Sequence, residues 1–158
     1  MREQTCCFTG HRNIPGKDIS IIMGRTEEQI RSLIRENGVK YFGVGGALGY
    51  DTLAAQLLMN LRDKDKLDIK IILVAPFPDF TSKWTPDQQD TFKLMLPKYN
   101  KRVYTDTIGS REAYLKRDRH LVDCSRYCIS YCTRNYGGTA YTVNYARKQG
   151  VQVFNTAM

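Results

Sequence analysis

Six short strand-like runs, each separated from the next by a stretch of helical character, constrain this chain more than any other feature. Strand-like runs fall at residues 5–9 (TCCFT), 41–44, 69–75, 102–104, 127–132 and 151–154. Between them, apolar spacing and end signals predict helices over residues 26–37, 51–62, 86–96, 110–124 and 139–149. In the first of these, Thr26 stands as the N-cap with Gln29 in the capping-box place, Ile30, Leu33 and Ile34 form the apolar stripe, and Gly38 is the stop. Strands alternating with helices along a whole chain specify an α/β fold: an open, mostly parallel sheet with helices on both faces. No repeat, low-complexity tract or linker interrupts the pattern, so residues 1–158 read as a single domain.

Composition narrows the partners without choosing one. Lys and Arg outnumber Asp and Glu by 24 to 16, a formal charge of +8, which favours anionic ligands such as nucleotides or nucleic acid. The positives are spread along the chain, however, and serve a solvated surface equally well. No apolar segment approaches the roughly 20 residues of a membrane span, and the N-terminal residues carry no apolar leader, so no membrane partner is expected. Five cysteines without an export signal imply reduced thiols in the cytoplasm. Cys124, Cys128 and Cys132 recur every fourth residue, but Cys128 and Cys132 fall in a β-rich run, where such neighbours lie about 13 Å apart. That spacing suits no zinc site, so no metal is expected and the three read as core thiols.

In sheets of this kind ligands bind beyond the carboxyl ends of the strands, so the turns that follow strands are the informative segments. Four stand out: TGHR from Thr9, GGALGYD from Gly45–Gly46 to Asp51, PFPDFTSKW ending at Trp84, and RNYGGT ending at Thr139. Gly137 and Gly138 precede Thr139 where the last helix opens, and their N–H groups with the Thr hydroxyl and the helix dipole suit a phosphate. A tight turn capped by Thr139 fits the same residues. Thr9, His11 and Arg12 offer a hydroxyl, an imidazole and a guanidinium. Neither glycine turn is a dinucleotide fingerprint, and no GK[ST] occurs, so hydride transfer and P-loop chemistry are disfavoured.

TGHR, GGALGYDTLAA, PFPDFTSKW, KRDRHLVDCS and YGGTAYTVNYARKQG occur in this order over nearly the whole chain, and together they resemble the YpsA-like branch of the SLOG superfamily. The resemblance implies a Rossmann-like fold and a pocket for a nucleotide or nucleotide-derived ligand of the ADP-ribose type. It implies that Gly10, His11, Arg12, Gly45, Gly46, Gly49, Asp51, Trp84, Gly137, Gly138 and Thr139 line that pocket, with Asp51 on ribose hydroxyls, Trp84 near the base, and Arg117 either at the ligand or paired with an acid. Other members of the superfamily are the LOG phosphoribohydrolases and the single-strand DNA-binding protein DprA, so an N-glycosidic hydrolase with Asp51 as its carboxylate and a nucleic-acid-binding module are the alternatives. The hydrolase pattern PGGxGTxxE is broken here: Tyr136 stands for the proline, and no Glu follows in the next turn. Where DprA proteins carry an arginine in the turn before the helix, this chain has Leu48. Trp84, Phe80 and Tyr136 are the aromatic residues expected at the surface, suited to base stacking. The leading expectation is a cytoplasmic sensor or adaptor rather than a catalyst. Homo-oligomers occur in the superfamily.

Overall fold

The computed structural model describes residues 1–158. Six strands, β1 (Thr5–Gly10), β2 (Tyr41–Val44), β3 (Lys70–Ala75), β4 (Lys101–Tyr104), β5 (Tyr127–Tyr131) and β6 (Gln152–Asn155), form one sheet in the order β4-β3-β2-β1-β5-β6. Every neighbouring pair is parallel. The connections are the helices α1 (Gly16–Asn37), α2 (Tyr50–Asp65), α3 (Pro86–Met95), α4 (Arg111–Asp123) and α5 (Gly137–Lys148).

Alternation along β1 divides the core. Cys6 and Phe8 join Ile22, Ile30, Leu33, Ala54 and Leu58 of α1 and α2 on one face. Cys7 joins Leu121, Val122 and Ala146 of α4 and α5 on the other. A central strand buried on both faces reads as a continuous apolar run, and TCCF is one. The order climbs from β1 through β4 and then jumps back, through α4, to β5 on the far side of β1. The turns after β1 and β5 therefore leave in opposite directions, which opens a crevice at the carboxyl edge.

Three local expectations need correction. Helix α1 starts at Gly16, ten residues before Thr26, and Thr26 is a fully buried interior residue. Its hydroxyl bonds the Ile22 carbonyl at 2.8 Å and meets the Tyr50 hydroxyl at 2.7 Å, so it joins α1 to α2 instead of capping. Helix α5 starts at Gly137 with Tyr136 as N-cap, so both glycines belong to its first turn and Thr139 is not the cap. Among the cysteines, Cys128 is buried with Cys6 and Cys7, but Cys124 is exposed and Cys132 half-buried. Ser110 caps α4, its side chain accepting from the Ala113 N–H at 3.0 Å. No helix is long and apolar enough to cross a membrane.

Candidate functional site

The carboxyl ends of β1 and β2 meet the first turns of α2 and α5 at a cavity of about 410 Å3. Thr9, Gly10, Asp51, Arg117, Gly137, Gly138 and Thr139 all line it. Of the three helices that line it, α2 and α5 carry no side-chain cap, whereas α4 is capped by Ser110. An uncapped helix start leaves N–H groups without intrahelical partners. At α5 no acidic residue stands in the first turn, and a side chain built on Gly138 would meet nothing within 4 Å. The backbone there faces open space. Gly137 has φ +90, a left-handed conformation that glycine takes without strain.

Opposite this turn, Asp51 is 6% exposed and its Oδ1 has no hydrogen-bond partner. Burial pushes its carboxyl up to about 7, against the opposing pull of the Arg117 charge and of the Ala47 and Gly45 N–H groups. Arg117, equally buried, donates from Nε to Asp118 Oδ1 at 2.7 Å and from a terminal nitrogen to the Gly45 carbonyl. The neighbouring acid is thus Arg117's partner, and its guanidinium still lines the cavity. Burial also raises the Asp118 carboxyl, with Arg117 opposing. The arrangement offers a ligand free N–H donors on one wall and an acceptor of adjustable charge on the other.

The remaining sequence-predicted residues lie elsewhere. Arg12, Gly46, Gly49 and Trp84 line a second cavity of about 400 Å3, on the side of α3. The β2–α2 turn divides the two: a Cβ on Gly45 would meet Arg117 and Asp51, whereas one on Gly46 would meet Leu73 and Phe80. Gly49, at φ +85, lies against the Arg12 backbone so closely that no side chain fits. Trp84 and Arg12 are therefore not brought to the α5 turn. Phe80, expected at the surface, is buried and packs edge-on against Trp84 and Phe92, while Tyr136 is exposed. His11 lines neither cavity; it joins the turns after β1 and β5, its N–H donating to the Tyr131 carbonyl at 3.3 Å and its Nε2 accepting from the Thr133 N–H at 2.9 Å. Burial and the nearby Arg134 charge lower its pKa.

Sequence reasoning passed over Arg111, Tyr114 and Tyr141, which line the first cavity. The signal was there: 111, 114 and 118 recur at helical spacing on one face of α4, and 138 and 141 do so on α5.

The YpsA family model, described as the YspA SLOG family, matches residues 7–155. An uncharacterized SPbeta prophage-derived protein, YoqJ, of Bacillus subtilis (strain 168) is 27% identical over 131 residues, 75% of this chain and 76% of that protein. A UPF0398 protein of Leuconostoc citreum (strain KM20) is 32% identical over 69 residues, 42% of this chain and 36% of its own length. Among solved structures, DNA processing protein A from Helicobacter pylori, described for its single-stranded DNA binding mode, superposes with a TM-score of 0.65 at 18% identity. The same protein from Streptococcus pneumoniae superposes with a TM-score of 0.64 at 16% identity. This chain is covered to 98% and 96% in the two superpositions and spans 65% and 49% of those longer chains. At such identities the likeness is one of fold.

Proposed function

The chain belongs to the YspA SLOG family, and from that premise we propose that it binds a nucleotide or nucleotide-derived ligand, as a sensor or adaptor working in the cytoplasm. The phosphate rests on the N–H groups of Gly137, Gly138 and Thr139, and the ribose hydroxyls donate to Asp51. One observation carries this reading: the uncapped first turn of α5 and the buried Asp51, whose Oδ1 has no partner, line the same cavity. A buried acceptor without a partner costs about 1–3 kcal/mol, and a ligand hydroxyl would recover it. The helix start supplies the complementary anion site. Tyr114 and Tyr141 stand at the rim, where an aromatic base has ring faces to lie against.

Asp51 favours a second reading. A carboxyl titrating near 7 suits a general acid or base, as an N-glycosidic hydrolase needs. In that case Asp51→Asn abolishes release of free base while ligand binding persists.

The test is a thermal-shift screen against nucleoside monophosphates, nucleoside diphosphates, ADP-ribose, NAD and a short single-stranded oligonucleotide, with product analysis on each hit. A ligand at about 100 times its dissociation constant adds near 2.7 kcal/mol of stability. A small-nucleotide shift that disappears in Gly138→Asp is the expected result. A shift with the oligonucleotide alone would replace this reading with nucleic-acid binding.

A further inference from the structure

We infer that the second cavity, beneath α3, is a separate binding site for a small, flat, apolar monoanion such as an aromatic carboxylate. Its volume of about 400 Å3 falls within the range of small-molecule sites, about 300–1,000 Å3. Its walls are apolar: Trp84, Phe92, Met95 and Tyr99 on one side, Ile14 and Leu53 on the other. Met95 is the only buried residue of α3, and with Phe92 it presents the inner face of that helix to the cavity. Phe80, Trp84 and Phe92 hold one another edge-on, with ring centroids 5.3–5.9 Å apart, which fixes the indole as a wall.

The polar groups set the charge of the occupant. No carboxylate lines the cavity, and Arg12 is its single charged residue. The salt bridges of the chain engage Arg31, Arg35, Arg62, Arg117 and Arg119, leaving the Arg12 guanidinium for a ligand. The hydroxyl protons of Thr52 and Thr91 are committed to the Ala47 and Asp87 carbonyls at 2.9 and 3.1 Å. The Gln88 carbonyl oxygen accepts from the Thr85 N–H at 3.0 Å, which leaves its NH2 group. The donors that remain, Arg12, the Asn13 and Gln88 amides, the Trp84 indole N–H and the Tyr99 hydroxyl, ask for an acceptor, and a guanidinium fork fits a carboxylate in two-point contact. An apolar body with one anionic end matches this lining; a second charge would face apolar wall.

The site does not depend on the nucleotide reading, because the Gly45–Gly49 turn stands between the cavities. The chain has one tryptophan, Trp84, so its emission reports on this cavity alone. The experiment titrates the protein with para-iodobenzoate, a heavy-atom quencher, and with the neutral para-iodobenzamide. The expected result is saturable quenching by the carboxylate, at least tenfold weaker for the amide and for the carboxylate on Arg12→Met, and unchanged in Gly138→Asp. Arg12 is exposed, so its replacement leaves the core intact. Quenching that rises linearly without saturating overturns the site. Equal affinity for acid and amide, or for wild type and Arg12→Met, overturns the anion assignment. Loss of binding in Gly138→Asp, or displacement by a nucleotide that protects wild type, shows one shared site and overturns the separation.

Discussion

Replacing Asp51 by Asn should make the protein more stable at mildly alkaline pH and leave it unchanged in acid. In an unfolded chain an aspartate titrates near 3.9, but burial holds this one up to about 7 in the fold. The folded state therefore keeps a proton that the unfolded state has lost across the interval between those values. Stability falls as pH rises wherever the folded state binds more protons. The contribution is intact below the unfolded value, declines through the interval, and is fully lost above about 7. A difference of about three pKa units corresponds to roughly 4 kcal/mol, a ceiling that relaxation around the carboxylate lowers. Asn keeps the size and removes the charge, and Arg117 retains Asp118 and the Gly45 carbonyl as partners. His11, pushed down by its burial, adds a slope of its own, but it does so in both proteins and cancels in the difference. Urea unfolding of wild type and variant at a series of pH values reads that difference directly. The account expects it to grow from near zero in acid to a few kcal/mol in favour of the variant above neutrality, as about half or more of that ceiling. Two parallel curves would refute the reasoning.

Two structural predictions follow from the contacts around the β2–α2 turn. Gly49→Ala places a methyl on the Arg12 backbone at φ +85, and urea unfolding should show a loss of about 2 kcal/mol or more, whereas a change below about 0.5 would contradict the close approach. Tyr50→Phe removes the hydroxyl that meets Thr26 at 2.7 Å and should cost about 1 kcal/mol by the same assay, with no change in α1 content by circular dichroism.

The alternation of strands and helices was legible because the inner strands are apolar runs and each connection from a strand into a helix carries or ends on glycine or proline. The first half of α1 was not. Ser20 and Gly24 depress its helical character, and the apolar positions that fix it, Ile22 and Ile30 with Thr26 between them, become a stripe only once Thr26 is recognised as buried. Thr26 has the chemistry of a cap, and tertiary packing against Tyr50 overrode it. The two glycines of α5 likewise read as a turn, although they open the helix and leave its N–H groups free. The convergence of Asp51, Arg117 and the α5 turn could be expected from motif order. Their separation from Arg12 and Trp84 could not, because it depends on which way the backbone faces at Gly45 and Gly46. Nor does local sequence say that the chain returns past β1 after β4, which is what brings α4 and α5 together over the site.

The central claim is that a phosphate rests on the first turn of α5. Isothermal titration of a nucleoside monophosphate and its parent nucleoside, each against wild type and Gly138→Asp, tests it most directly. A side chain at position 138 enters open space, so the variant folds and carries its carboxylate into the anion site. The account predicts that the monophosphate binds wild type at least tenfold, or about 1.4 kcal/mol, more tightly than the nucleoside, and that Gly138→Asp removes this advantage. Equal binding of the two ligands, or a monophosphate affinity that Gly138→Asp leaves untouched, would contradict it.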